Sequence, residues 1–355
     1  MLDVIFLLFQ KHWFSIAIIS ILLWAIRKLF LVGTFTPLKK SLKGKLVIVT
    51  GASAGIGKAT AHQLLKDGAD VIYACRNEEK TRKVFQEIEK EDKELVKRAH
   101  FIKLNLNKFT SVKKFVEEFN KKFDKLDILV NNAATYPIEF EITEEKLESI
   151  YQINYFSQVV LALLLLDKFD KTEGKILNLS SFAHIQCDFT LESIEEMKRD
   201  LSYKKIKEDY FGNMWLKHYH YANTKTAMIF FTSYFSEYLQ KKYPHIKTAS
   251  VNPGLVYTEF GRFVSEHKFL RYVYSTLFFI YMYIAKTSFS GAQCSLHCIY
   301  LDFQDVVSGA YYSDCKLGKL SSLAKDKTIR DSLIKYTKDF LKQIKHLEEI
   351  HVHLN

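Results

Sequence analysis

Short β-branched apolar runs alternate along this chain with longer stretches of helical sequence. Lys45 to Thr50, Val71 to Ala74, Phe101 to Leu106, Asp127 to Asn131, Lys175 to Leu179 and Thr248 to Asn252 read as six strands. Helical sequence separates them, beginning with Ile56 to Asp67 and the charged stretch Glu78 to Lys97. Strands alternating with helices line up in parallel, and the helices cover both faces of the sheet. The pattern predicts an α/β fold: a doubly wound, Rossmann-like parallel sheet in one domain from about residue 42 to 345. No internal repeat, low-complexity tract or long Pro/Gly linker interrupts it.

Residues 1 to 33 follow another pattern. Trp13 to Ile26 is apolar apart from Ser15 and Ser20, with Lys11 and His12 before it and Arg27 and Lys28 after it. A helix of this length spans about 21 Å, short of a hydrocarbon core of ~30 Å. Snorkelling of Lys11 and Lys28 and the flanking runs Val4 to Phe9 and Leu29 to Val32 extend its reach. A cleaved signal peptide is the rival reading, but small residues at a cleavage site are not evident. The reading is an uncleaved N-terminal membrane helix, spanning or monotopic. Basic residues are denser after it (Arg27, Lys28, Lys39, Lys40, Lys43, Lys45), which puts the folded domain on the cytosolic side of the endoplasmic reticulum or a similar membrane. Tyr272 to Ala285 is a second aromatic-rich stretch, too short to span. It is expected as an amphipathic flap at the bilayer interface or against an apolar pocket, with an ordinary core helix as the alternative.

Composition then removes several function classes. The chain has 355 residues, 48% apolar and 26% charged, so it is globular rather than disordered. The net charge is +11, but only 8 of the 51 basic residues are Arg, and the Lys are scattered among Glu and Asp. This describes solvated helix faces and not a nucleic-acid site. Five irregularly spaced Cys speak against a disulfide framework. Cys294, His297 and Cys298 lack a second ligand pair with zinc spacing, and His218 and His220, two apart, point to different faces of a helix, so no metal is expected.

The candidate chemistry begins at the first strand. Thr50-Gly51-Ala52-Ser53-Ala54-Gly55-Ile56-Gly57 lies between a strand and a helix. Glycines there permit a tight turn and let the backbone approach a pyrophosphate at the helix N-terminus. Gly51, Ser53, Ala54, Gly55, Ile56 and Gly57 are the candidate cofactor contacts of this loop. The second strand ends in Ala74-Cys75-Arg76-Asn77, with no acid to take the ribose hydroxyls of NAD. Arg76 suits a 2′-phosphate instead, so NADP(H) is expected over NAD(H). Farther on, Tyr221 and Lys225 stand four apart and share one helix face. An ammonium beside a phenol favours the phenolate, which makes the pair a candidate acid/base.

In order, Thr50-Gly51-x-x-x-Gly55-x-Gly57, Asn131-Asn132-Ala133-Ala134, Asn154, Ser180-Ser181, Tyr221-x-x-x-Lys225 and Pro253-Gly254-x-Val256-x-Thr258 make the chain resemble the short-chain dehydrogenase/reductase family, of its classical type. The resemblance runs from about residue 43 to 345. Ala74-Cys75-Arg76-Asn77, Ser180-Ser181-Phe182-Ala183-His184, Lys286-Thr287 with Gly291-Ala292-Gln293, and Tyr311-Tyr312-Ser313-Asp314-Cys315 are similar to its retinol dehydrogenase-like branch. The oxidoreductase domain of the WW-domain oxidoreductase lies in the same neighbourhood, but WW modules are missing here. The resemblance implies that Tyr221 exchanges a proton with the substrate oxygen and that Lys225 lowers its pKa and holds the nicotinamide ribose. It implies that Ser181 bonds the same oxygen and that Asn154 positions Lys225 through a water. Asn105, Leu106, Asn132, Ala133, Pro253, Gly254, Val256 and Thr258 are the further cofactor contacts it implies.

Two positions depart from the family pattern. Asn105 stands where Asp is usual, and Ala134 stands where Gly is usual. The insert Gln186 to His220 is expected to edge the substrate entrance, where Phe182, Phe189, Tyr210, Phe211 and Trp215 supply apolar surface. With the flap and the anchor, these point to a lipophilic carbonyl or alcohol, of retinoid, steroid or fatty-aldehyde class. Assembly as a homo-oligomer stays open. The alternative function is a membrane-tethered, NADP-binding scaffold or sensor, against which the complete Asn-Ser-Tyr-Lys set speaks.

Overall fold

The computed structural model describes residues 12–15, 17–18, 20–22, 24–25, 35–136, 141–190, 214–256 and 285–354, with side chains at 214–217 excepted. Eight strands form one sheet: β1 Leu46–Thr50, β2 Asp70–Cys75, β3 Ala99–Lys103, β4 Ile128–Asn131, β5 Gly174–Leu179, β6 Ile246–Asn252, β7 Tyr311–Ser313 and β8 Lys316–Leu317. Their order is β3-β2-β1-β4-β5-β6-β7-β8. Every pair is parallel except the closing β7–β8 hairpin.

Side-chain alternation along each strand feeds two separate cores. Val47, Val49, Val71, Tyr73, Val130, Leu177 and Val251 pack on one side, under helices α1 (Gly55–Lys66), α2 (Glu78–Glu91) and α6 (Ser288–Tyr300). Ile48, Ile72, Leu129 and Ile176 pack on the other. The helices there are α3 (Phe109–Lys122), α4, α5 (Met214–Lys242) and α7 (Lys327–Lys342). Helix α4 runs through Ser149–Tyr151, a π-helical Gln152–Phe156, and Ser157–Leu164. Packing on this side continues through Leu347, Ile350 and Leu354. Both faces of the sheet are covered, as in a Rossmann-like fold.

The third strand begins and ends earlier than its apolar run. Leu104 still donates to the Cys75 carbonyl at 3.0 Å, but Asn105 and Leu106 have already left the ladder for a turn. The last two strands are too short to show periodicity. The turn between them holds Asp314 and Cys315 at φ +49° and +59°, the left-handed pair that a two-residue hairpin with right-handed strand twist requires.

Most of the expected anchor lies outside the described residues. Its described part includes Trp13, Phe14, Ile21, Leu22 and Trp24, which are helical and exposed. Among the described residues, no helix is long and apolar enough to cross a membrane. The expected flap also lies outside them, apart from Ala285, as does the insert from 191 to 213.

The strand order reverses between β1 and β4. In open α/β sheets, the crevice beyond the strand ends at such a point is where ligands bind. The loops after β1, β4, β5 and β6 all open at that end.

Candidate active site

At the reversal point the glycine loop is tied to the end of β4. Thr50 Oγ1 accepts from the amides of Asn132 and Ala133, both at 2.9 Å, and Asn132 Nδ2 donates to the Thr50 carbonyl at 2.8 Å. Gly51 sits at φ +69° and Gly55 at φ +54°. A Cβ on Gly57 would lie 2.4 Å from Asn132 Nδ2 and 2.6 Å from the Gly51 carbonyl oxygen, so only glycine closes the turn. Ala54 caps α1 without a side-chain hydrogen bond, and the first turn carries no acid. No side chain caps the amides of this helix start, the end of a helix that favours anions.

Arg76 is exposed at the end of β2, and Asn77 caps α2 by accepting from the Lys80 amide at 2.8 Å. Asn105 accepts from the Asn107 amide at 3.1 Å through its side chain, and its own amide donates to Ser111 Oγ at 3.0 Å. The residue that replaces the usual acid thus builds its own turn. Leu106 is buried, and its carbonyl accepts from Ser157 Oγ at 2.6 Å.

The residues expected to act in catalysis converge beside β5. Tyr221 and Lys225 lie on one face of α5, with Lys225 Nζ 5.6 Å from the centre of the Tyr221 ring. Nζ donates to the Leu179 carbonyl at 2.9 Å, two residues before Ser181. The bond and the ring favour the ammonium, but burial outweighs them and pushes the Lys225 pKa down to about 7. Ser180 and Ser181 part company as strand alternation requires. Ser180 Oγ turns inward and donates to the Lys225 carbonyl at 2.8 Å. Ser181 accepts from the Ala183 amide at 3.2 Å and caps the short turn Phe182–Gln186. His184 Nδ1 meets the Ser181 carbonyl at 2.8 Å, and Ser321 N donates to His184 Nε2 at 3.4 Å. Those two bonds place the imidazole proton on Nδ1, and burial lowers its pKa.

Asn154 sits in the π-helical turn of α4. Its amide donates to the Thr135 carbonyl at 2.9 Å and to Thr224 Oγ1 at 3.2 Å, while Oδ1 accepts from Thr135 N at 2.7 Å. Asn154 is thereby tied to Thr224, the chain neighbour of Lys225. Tyr136 lies against Tyr221 with ring centres 5.4 Å apart. His218 and His220 take separate partners, Gln186 and Glu148. Among the described residues, no group of three His, Cys, Asp or Glu is arranged to hold a metal.

After β6, Gly254 adopts φ +82° and its amide donates to Asn252 Oδ1 at 3.0 Å. A Cβ there would lie 2.8 Å from Lys286 Nζ. Lys286 in turn pairs with Asp314 at 2.6 Å, so the β7–β8 turn holds a side chain against this loop. Val256 is buried against the starts of α1 and α6, touching the spaces beside Ile56 and Gly291. Pro253 belongs to the same loop, whereas Thr258 lies outside the described residues.

Sequence reasoning passed over Thr50, Asn252, Lys286 and Asp314 as site-building residues. Thr50 ends a strand directly before Gly51, and Asn252 ends one directly before Pro253-Gly254, which is the signal that would have found them. The Lys286–Asp314 pair spans 28 positions and had no local signal.

A family model described as short chain dehydrogenase matches residues 45–189. Retinol dehydrogenase 11 of Homo sapiens is 32% identical over 319 residues, covering 89% of this chain and 91% of that protein. Retinol dehydrogenase 12 of Mus musculus is 30% identical over 310 residues, covering 87% and 90%. Among solved structures, a short chain dehydrogenase from Burkholderia cenocepacia in complex with NADP aligns with TM-score 0.54 and 22% identity, over 77% of this chain and 97% of its own. An uncharacterised protein from Mycobacterium paratuberculosis aligns with TM-score 0.63 and 21% identity, over 87% and 98%.

Proposed function

The chain belongs to the short-chain dehydrogenase family, in its retinol dehydrogenase-like branch, and from that premise we propose that it interconverts a lipophilic carbonyl compound and its alcohol with NADP(H). Membership makes it an oxidoreductase of CH–OH and C=O groups. The observation that carries the finer reading is the pairing of Tyr221 with Lys225 at the end of β5 that leads into Ser181.

The residues present fit a nicotinamide dinucleotide. Gly57 leaves a cradle that any Cβ would fill, and the start of α1 offers a pyrophosphate amides that no side chain caps. Gly51, Ser53, Ala54, Gly55 and Ile56 border it, with Asn105, Leu106, Asn132 and Ala133 toward the adenosine side. Arg76 meets a 2′-phosphate where an acid would prefer the NAD ribose. The neighbouring structure bound to NADP supports the same choice. Lys225 holds the nicotinamide ribose, and Pro253, Gly254, Val256 and Thr258 border the nicotinamide end. When bound, the cofactor supplies the hydride to the carbonyl carbon or accepts it from the alcohol.

The protein's own task is proton transfer and orientation. In reduction, Tyr221 gives its phenolic proton to the substrate oxygen, and Ser181 Oγ donates a hydrogen bond that steadies the charge developing there. Lys225, as the ammonium, stabilises the phenolate left behind, and Asn154 keeps this stretch of α5 in place through Thr224. In oxidation the same groups run in reverse.

A lipophilic substrate of retinoid, steroid or fatty-aldehyde class is supported by the names of the relatives and by apolar surface. Phe182 and Ile185, just after Ser181, and Leu255, just after Gly254, are exposed. Attachment to a membrane through residues 1–33 is supported by the exposed Trp13, Phe14, Ile21, Leu22 and Trp24, and placement of this domain toward the cytosol by the basic residues that follow the segment. A C-terminal tag is expected to be digested by protease added outside sealed microsomes; protection would contradict that orientation.

The test of the function is a panel of long-chain aldehydes, all-trans-retinal and steroid ketones with NADPH or NADH, and the matching alcohols with the oxidised cofactors. Turnover of at least one class with NADPH is expected. Tight NADPH binding with no turnover on any would leave a binding protein instead.

A further inference from the structure

Asn252 ends β6, is buried, and belongs to none of the groups assigned above. Its carboxamide makes three hydrogen bonds to three different segments. Oδ1 accepts from the Phe182 amide at 3.2 Å and from the Gly254 amide at 3.0 Å, and Nδ2 donates to Ser313 Oγ at 3.1 Å. Both lone pairs of the carbonyl oxygen are therefore in use. One bond holds the first amide after Ser181, and the other holds the loop that borders the nicotinamide end.

We propose that Asn252 is a positioning residue whose single oxygen sets the spacing between the Ser181 turn and the Gly254 loop. The inference rests on the roles given to those two segments under Proposed function. The strands behind them are joined by the bond of the Ser180 amide to the Val251 carbonyl at 2.8 Å, but beyond the strand ends each segment has its own supports. The Ser181 turn is held by His184, and the Gly254 loop by Lys286 and its partner Asp314. Nothing else among the described hydrogen bonds ties the two segments to one atom. Hydride transfer needs the substrate oxygen against Ser181 while its carbon faces the nicotinamide, and a misplacement of about 1 Å costs on the order of 10²-fold in rate. A shared acceptor couples the two positions so that they cannot drift independently.

The test compares Asn252→Leu, of similar size but unable to bond, with Asn252→Asp, whose carboxylate accepts both amides while the Ser313 hydroxyl turns to donate. Hydrogen exchange at the Phe182 and Gly254 amides is read in the full-length, cofactor-free protein. Exchange at both is expected to rise about tenfold in Asn252→Leu and to stay within about threefold of wild type in Asn252→Asp. With NADPH added, Asn252→Leu should move the fluorescence of the bound nicotinamide toward that of free NADPH. Affinity for 2′,5′-ADP, which reaches only the distant end of the site, should not change. Exchange unchanged at either amide, or weakened 2′,5′-ADP binding that marks general loss of structure, would overturn the proposal. If wild type fails to bind NADPH, the functional reading falls, and the exchange data still decide whether Asn252 couples the segments.

Discussion

Lys225 Nζ lies 5.6 Å from the centre of the Tyr221 ring while donating a 2.9 Å hydrogen bond to the Leu179 carbonyl. The same ammonium thus touches the proposed proton donor and the strand that leads to Ser181. Its burial has a measurable cost, because the charged form is the one penalised.

Burial pushes the Lys225 pKa down to about 7, from the ordinary 10.5 expected of the unfolded chain. A lysine depressed in this way weighs fully against the fold below pH ~7, and the penalty fades as pH rises toward the unfolded value. Lys175, pushed to about 8 by burial, adds a slope of the same sign. Lys225→Met removes one contribution and keeps the other. In the cofactor-free protein, the Tm of Lys225→Met minus that of wild type should therefore decrease from pH 7 to pH 10. A difference that stays flat across this window would show that Lys225 is not depressed.

Gly57→Ala puts a methyl carbon 2.4 Å from Asn132 Nδ2 and 2.6 Å from the Gly51 oxygen. The Gly51 contact is backbone and cannot yield cheaply. Titration calorimetry should show NADPH affinity reduced by about tenfold or more, since the loop must open to accept the methyl. Wild-type affinity would mean that the loop does not cradle the pyrophosphate.

Arg76→Asp replaces the proposed phosphate partner with an acid suited to ribose hydroxyls. The ratio of kcat/KM for NADPH over NADH should fall by about 10²-fold, as expected for a charge-assisted bond of about 1.5–3 kcal/mol replaced by repulsion. A ratio unchanged by the substitution would place the 2′-phosphate elsewhere.

Much of this architecture was legible because local physics carried it. The runs at Lys45 to Thr50 and Lys175 to Leu179 are apolar and β-branched, so they read as buried parallel strands, and the glycines after β1 announced their turn. The strands β7 and β8 were not legible as strands. Their pairing depends on β6 and on left-handed Asp314 and Cys315, residues that carry no general hairpin signature. Within the site, Ser181 was marked by the family resemblance, while the bond of Ser180 Oγ to the Lys225 carbonyl joins residues 45 positions apart and had no local signal. Asn105 was noted as a departure at a cofactor position, whereas its turn-building bonds depend on Ser111 and Asn107. The contacts of Asn252 and Lys286 bring together segments 28 to 70 positions apart, which no window along the chain contains.

The central claim is that Tyr221 passes the proton while the cofactor passes the hydride, and one measurement addresses it directly. Wild type and Tyr221→Phe are incubated with NADPH deuterated on the transferred position of the nicotinamide and with all-trans-retinal or a long-chain aldehyde. Label entering the alcohol is followed by mass spectrometry, and NADPH affinity is measured alongside. Wild type should transfer the label, and Tyr221→Phe should transfer it about 10²–10⁴-fold more slowly with cofactor affinity nearly unchanged. Equal transfer by the two proteins would contradict the account.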